Sequence, residues 1–399
     1  MSYTAPVPIS SASRVILFVT VFIHLLGFGI IIPLLPYYAE TYGAHAFHIG
    51  LLTTSFSLCQ FLFAPVWGRL SDRIGRRPVL IGSLVVTAVS YLIYAAAHSL
   101  EMLFVSRMLA GVAGAVLSTA QAYVADTTTP ENRTKGMGLI GAAFGMGFIF
   151  GPALGGILSQ WGYAAPAYAS AGLALVAAVF AYFRLGESLP PEVRAETAAR
   201  RLARAGFFET LKRPVTGTVL GLFFTATVCF AGMEAILALF TQRYFSWGPH
   251  QIGYLFAYVG VIAALMQAGI VGRLVKRFGE RALVRAGLLL MGAAFVTAGL
   301  APPLGLFILT MGLVSVASGM LTPSLSGLIS LATSADEQGS VLGVYQSLGS
   351  LARAVGPFLG GFVFDVVSPG APLWMAGIVL GIAALAAARL PRREAAKTT

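Results

Sequence analysis

Gly68-Arg69-Leu70-Ser71-Asp72-Arg73-Ile74-Gly75-Arg76-Arg77 returns 204 residues later (68 to 272) as Gly272-Arg273-Leu274-Val275-Lys276-Arg277-Phe278-Gly279-Glu280-Arg281. The Gly-Arg-Leu, two later arginines and the second glycine superimpose. Each copy interrupts otherwise apolar sequence with a tight basic turn, for which glycine supplies the backbone freedom. A doubled turn inside a hydrophobic chain implies two equivalent membrane bundles with a pathway between them.

Composition supports lipid as the solvent. The 399 residues are 57% hydrophobic and 10% charged, with mean hydropathy +0.83. A soluble domain carries about 25% charged residues. The net charge of +11 raises the question of nucleic acid, and its placement answers it. All of the 26 Lys and Arg except Arg107, Arg243 and Arg353 lie at the N-terminus, in alternate connections, or at the C-terminus. That is the positive-inside pattern, since Lys and Arg resist translocation. The basic balance therefore reports topology, and no nucleic-acid partner is expected. Cys59 and Cys229 both sit in apolar runs, with no disulfide or metal spacing.

A span needs about 20 mostly apolar residues. Twelve runs qualify: 14–37, 47–68, 78–98, 102–125, 136–158, 164–185, 215–241, 250–272, 282–300, 303–328, 338–364 and 371–389. They do not alternate, which excludes a β-barrel. The longest polar stretch, 186–214, divides them six and six. The expected fold is an all-α membrane protein of twelve transmembrane helices in two pseudo-symmetric six-helix bundles. Its parts are an N-terminal bundle at 1–185, a cytoplasmic linker at 186–214, partly an amphipathic surface helix, and a C-terminal bundle at 215–399. An even span count with a basic linker puts both termini in the cytoplasm.

A second motif repeats at nearly the same shift. Gly138, Gly147, Gly151, Pro152, Gly155 and Gly156 in the fifth run match Gly343, Ala352, Gly356, Pro357, Gly360 and Gly361 in the eleventh, a shift of 205 (151 to 356). Two motifs sharing one shift argue for two parallel halves.

Charge within a span is costly and points to function. Arg107 falls in the fourth run, with Gly111, Gly114, Ser118 and Gln121 at offsets of 4, 7, 11 and 14. On one continuous helix those five share a face, which is expected to line a cavity; the alternative is an Arg that snorkels to headgroups. Glu234 sits well inside the seventh run. Such a carboxyl can take up a proton on one side of the membrane and lose it on the other, contact a cationic substrate, or pair with Arg353 or Arg107. Arg353, with Gln346 and Gly349 seven and four residues before it, is expected to face the interior, to bind an anionic substrate or to compensate Glu234. No Walker A motif and no metal-ligand spacing is present, so neither enzyme nor cofactor nor metal is expected.

The turn at Gly68–Arg77 resembles the signature between spans 2 and 3 of the major facilitator superfamily, and the likeness extends over essentially the whole chain. In that family the cluster latches the two halves at the cytoplasmic side. The resemblance makes Gly68, Asp72, Arg73, Gly75, Arg76 and Asp126 the expected gate, with Lys276 in place of Asp72 leaving the second turn to topology. The glycine pattern of the fifth run resembles the antiporter element, expected to contact a partner helix across the halves. The first run, Val21 to Pro33, and Leu34-Leu35-Pro36-Tyr37-Tyr38-Ala39-Glu40 are similar to tetracycline-type drug/proton exporters, which usually carry Asp where this chain has His24. Histidine keeps a titratable group there. Gln267 matches a polar position in such exporters, and an Arg at the position of Arg107 is associated with proton coupling.

The resemblance implies a monomeric secondary transporter of the cell (inner) membrane, partnered by the bilayer, a small-molecule substrate and protons. It would export small, largely apolar or drug-like compounds by proton antiport. Glu234, Arg107, His24, Gln121, Arg353, Gln346 and Gln267 are the candidate coupling and cavity residues. The alternative is a proton-coupled or facilitative transporter of a metabolite, anionic if Arg353 recognises it.

Overall fold

All twelve apolar runs are helical in the computed structural model, which describes residues 11–114, 116–128, 130–189, 207–333 and 338–388. The helices are α1 Ser11–Ile31, α2 Leu35–Glu40, α3 Ala46–Ile74, α4 Arg76–Ala95, α5 Leu100–Val112, α6 Val116–Thr127, α7 Pro130–Leu158 and α8 Ala164–Arg184. They continue as α9 Phe207–Lys212, α10 Pro214–Phe245, α11 Pro249–Leu265, α12 Val271–Phe278, α13 Glu280–Gly299, α14 Leu304–Leu331, α15 Gln338–Val366 and α16 Ala371–Ala387. No strand occurs among the described residues. Ten helical segments are long and apolar enough to cross a membrane; Pro249–Leu265 and Ala371–Ala387 are shorter. Most of the 186–214 linker, including its amphipathic reading, lies outside the described residues, apart from 186–189 and the part from Phe207 onward.

Three runs are not the single helices expected. The first tightens to a 3-10 turn at Ile32–Leu34, where Pro33 withholds a backbone donor, and then resumes as α2. The fourth breaks between α5 and α6, with Gly114 N–H closing a turn onto the Gly111 carbonyl at 3.0 Å. The eighth kinks within Met266–Ile270, where Gly269 takes φ 138°, a conformation that side-chain-bearing residues rarely adopt.

The doubled turn is built twice in the same way. Gly75 (φ 107°, ψ 162°) ends α3 and starts α4, while Gly279 (φ 78°, ψ 159°) ends α12 and starts α13. Each glycine N–H bonds the carbonyl four residues back, Ser71 at 3.2 Å and Val275 at 2.8 Å. Left-handed φ at both positions is why the sequence keeps glycine 204 residues apart (75 to 279).

Backbone contacts between glycines organise each half. A Cβ on Gly151 would lie 2.8 Å from Gly29 Cα, and one on Gly147 would lie 2.8 Å from Leu25 Cβ, so α7 packs directly on α1. In the same way, a Cβ on Gly360 would lie 2.7 Å from the Gly232 carbonyl oxygen, packing α15 on α10. Large apolar side chains such as Phe183, Leu300, Ile382 and Leu385 are mostly exposed, each above 60%. Water would penalise that surface and lipid accepts it.

The chain forms two compact units, Met1–Ala203 with Thr241–Gly260, and Arg204–Phe240 with Val261–Thr399. The end of α10 and the start of α11, Thr241–Gly260, belong to the first unit. There Tyr37 OH donates to the Trp247 carbonyl at 3.3 Å, and a Cβ on Gly253 would lie 2.6 Å from the Pro152 carbonyl.

The packing predicts a contrast between glycines of one helix. Gly151→Val should lower the melting temperature of the detergent-purified protein, by about 1–3 kcal/mol of overpacking. Gly138→Ala should leave it unchanged or raise it slightly, because nothing lies within 4 Å of the added methyl and alanine favours the helix.

Candidate functional site

The first turn is a buried charge cluster. Arg76 and Asp72 are both nearly inaccessible, 3% and 1% exposed. Arg76 Nη1 pairs with Asp72 Oδ1 at 2.5 Å, and Arg76 Nε with Asp126 Oδ2 at 2.9 Å. Arg76 Nη1 also donates to Ser71 Oγ at 2.6 Å, and Ser188 Oγ donates to Asp126 at 3.3 Å. One guanidinium thus joins the end of α3 and start of α4 to the end of α6 and the segment after α8. Every one of these bonds stays within the first unit. Arg73 is exposed.

Two partners here were missed in the sequence. Glu187 lays its carboxylate over the first backbone donors of α4, accepting from Arg76 N at 2.8 Å and Arg77 N at 3.2 Å. An acid at a helix N-terminus satisfies orphan donors and meets the positive end of the dipole. Ser188 was the second. The signal available was an acidic residue just past the last helix of the half, but nothing local ties it to a helix start 111 residues earlier.

The second turn keeps the backbone and changes the chemistry. Lys276 and Glu280 stand where the first has Asp72 and Arg76. What persists is a strap: Arg77 Nη2 donates to the Tyr182 carbonyl at the end of α8, and Arg281 Nη2 donates to the Ala388 carbonyl just after α16.

Arg107 is buried, 3% exposed, with its guanidinium over the rings of Tyr91 (5.8 Å) and Tyr94 (5.2 Å). Its Nε and Nη2 have no hydrogen-bond partner among the described residues. The single cavity-lining face expected from Arg107 to Gln121 is not formed. The helix gives way to a turn at 113–114, and Gly111 and Gly114 pack on α3, where a Cβ on Gly114 would lie 2.8 Å from Gln60 Nε2. Gln121, on the separate helix α6, is half-buried. His24 on α1 is half-buried, and its Nδ1 is enclosed without a hydrogen-bond partner among the described residues.

The glycines of α7 divide between two partners. Gly147, Gly151 and Gly155 meet α1 of their own half rather than a helix across the halves. Gly156 alone of the motif glycines faces α11, where its Cβ would lie 3.1 Å from the Pro249 carbonyl. Gly138 faces open space.

In the second unit, Glu234 is half-buried on α10 between buried Met233 and Ala235. Arg353 on α15 is exposed, with Nη2 3.4 Å from Ser350 Oγ. The Gly232–Gly356 crossing brings these helices together, and the two charges act on each other. They form no ion pair: both pairs within 4.0 Å among the described residues belong to Arg76. Gln346 is exposed on α15, and Gln267 is exposed two residues before the kink at Gly269.

Two internally repeated sets of apolar helices, carrying unpaired charge within their spans, define a multi-pass membrane transporter rather than an enzyme. The family model described as Major Facilitator Superfamily matches residues 17–268 and 222–399, and the chain belongs to that family. It is 33% identical over 386 residues to the class D tetracycline resistance protein of Salmonella ordonez, covering 96% of this chain and 97% of that one. It is 31% identical to multidrug resistance protein 2 of Bacillus subtilis (strain 168), over 92% of each. Among solved structures, the human organic anion transporter MFSD10 (TETRAN) matches with a TM-score of 0.72 and 29% identity, over 94% of this chain and 99% of that one.

The cluster predicts unequal turns. Arg76→Gln strands two carboxylates in a buried site and should destabilise the protein by about 3–5 kcal/mol. Lys276→Gln, at an exposed position, should be near neutral in the same thermal-unfolding assay in detergent.

Proposed function

We propose that this protein exports small, largely apolar or drug-like compounds in exchange for protons, alternating access between the two faces of the inner membrane. Both termini lie in the cytoplasm, and the protein works as a monomer. The observation that carries the reading is Glu234, a carboxyl inside an apolar span with no ion pair to a described residue. A carboxylate fixed by a salt bridge would be a structural anchor. One that only senses Arg353 is free to gain and lose a proton as the site changes sides. The similarity to tetracycline and multidrug resistance proteins supports drug-like cargo.

Arg107 and His24 serve the same cycle. Arg107 is a buried cation held by aromatic faces instead of a carboxylate, so protonation nearby changes its electrostatic environment directly. His24 offers a second titratable nitrogen in α1. The cluster around Asp72, Arg76 and Asp126 supplies the cytoplasmic gate, with Gly68 and exposed Arg73 on the last turns of α3 and Gly75 at the turn into α4.

In proteoliposomes with an imposed pH gradient, efflux of a lipophilic cation or a tetracycline should follow the gradient. Glu234→Gln should abolish that dependence while leaving downhill exchange. Transport indifferent to the gradient in the unmodified protein would end the antiport reading.

A second reading is favoured by exposed Arg353 and by the similarity to an organic anion transporter: an anionic metabolite bound by that guanidinium. Arg353→Gln separates the two. Selective loss of anion transport supports the second, while intact anion and drug transport leaves Arg353 a bystander.

A further inference from the structure

A cavity of about 860 Å³ opens in the second unit at the start of α13, apart from every residue assigned above to transport. Arg281 and Arg285 line it together with Phe278, Leu289, Leu328 and Leu331. The two arginines are one turn apart and share a face of α13. Leu289 follows eight residues after Arg281, about 12 Å further along the helix axis. The cavity is therefore cationic at the turn and apolar toward the membrane interior. Phe278, Leu289 and Leu331 are 56%, 47% and 59% exposed, so its apolar wall is uncovered by any described residue. Glu280 also lines it, turned toward α14, where its Cγ lies 3.5 Å from the place a Cβ on Gly327 would take. Two cations to one carboxylate leave the cavity net positive.

The first half shows how this fold treats an anion at the same place. There the Glu187 carboxylate bridges the first two N–H groups of α4. The matching end of α13 receives no side-chain cap from any described residue. The second cation is particular to the second half, because Ile81 occupies the position equivalent to Arg285, 204 residues earlier (285 to 81).

We propose that this cavity binds the headgroup of an anionic phospholipid from the leaflet at the basic face of the membrane. The lipid phosphate sits between Arg281 and Arg285, and one acyl chain runs along Leu289, Leu328 and Leu331. Arginine suits a phosphate by presenting planar, paired donors. Basic pockets between membrane helices at this face recognise such headgroups. The site depends neither on proton coupling nor on the direction of transport, so its failure would leave the export reading intact.

Purified protein in nonionic detergent is titrated with dioleoylphosphatidylglycerol or dioleoylphosphatidylcholine, read by melting temperature and by native mass spectrometry of retained lipid. Phosphatidylglycerol should be retained and raise the melting temperature, and phosphatidylcholine should do neither. Arg285→Gln, at an exposed position, should melt like the parent without lipid and bind phosphatidylglycerol about five- to tenfold more weakly. Arg281→Gln should bind phosphatidylglycerol as weakly, and should also melt lower without lipid because it loses the strap to Ala388. Lys276→Gln and Arg277→Gln, outside the cavity, should retain parental affinity. Equal binding by Arg285→Gln would overturn the proposal, as would equal loss in the Lys276 and Arg277 variants, which would mean diffuse attraction to a basic surface. Displacement by inorganic phosphate would make this a site for a soluble anion instead. Tighter lipid binding in Glu394→Gln would make the chain's own tail the occupant.

Discussion

Helices in lipid gain nothing from the hydrophobic effect when they touch, because the acyl chains they leave are as apolar as they are. Close van der Waals contact between backbones must do that work, and only glycine permits it at the distances found here. Gly29 against Gly147 and Gly151, and Gly232 against Gly356 and Gly360, are the points where α1 meets α7 and α10 meets α15. The positions of Glu234 and Arg353 follow from the second crossing: each stands within one turn of a crossing glycine. A side chain at either glycine would separate the helices and, with them, the charges.

The same low-dielectric setting explains the treatment of Arg76. Burying a guanidinium costs least when its donors are met, and Asp72, Asp126 and Ser71 meet those of Arg76. The result joins three helices of one half at a point where the backbone is already fixed by Gly75. The second half keeps the turn and the Arg281 strap but leaves its helix start uncapped by the described residues. Two copies of one backbone motif have thus become a closed charge cluster in one half and an open cationic cavity in the other.

Much of this was readable beforehand. The twelve apolar runs are all helical, and the two repeats gave the duplicated architecture before any coordinates. The turn at 113–114 and the kink at Gly269 were not readable. The first depends on α3 approaching Gly111 so closely that a Cβ there would strike the Phe56 carbonyl, and hydropathy carries no trace of that approach. With the break went the supposed face from Arg107 to Gln121, since helical offsets hold only along an uninterrupted helix. The aromatic embrace of Arg107 was equally hidden: Tyr91 and Tyr94 belong to α4, and side chains on that helix gave no sequence sign of which neighbour they faced. Glu187 counted in the sequence as one acid among several in a polar stretch, although it caps a helix start far back in the chain.

The sequence by itself determined which runs are apolar and long enough to span lipid, and where the chain makes its two matched turns. Those features rest on local properties: the apolarity of about twenty residues in a row, and the freedom of a single glycine to take positive φ. Only the tertiary structure decided which charge answers which. Asp126 and Glu187 reach the first turn, Arg107 lies against two tyrosines, and Glu234 makes no ion pair with a described residue, because a partner is chosen by distance in space and by the donors each site leaves open. Neither quantity is a property of neighbouring residues in the chain.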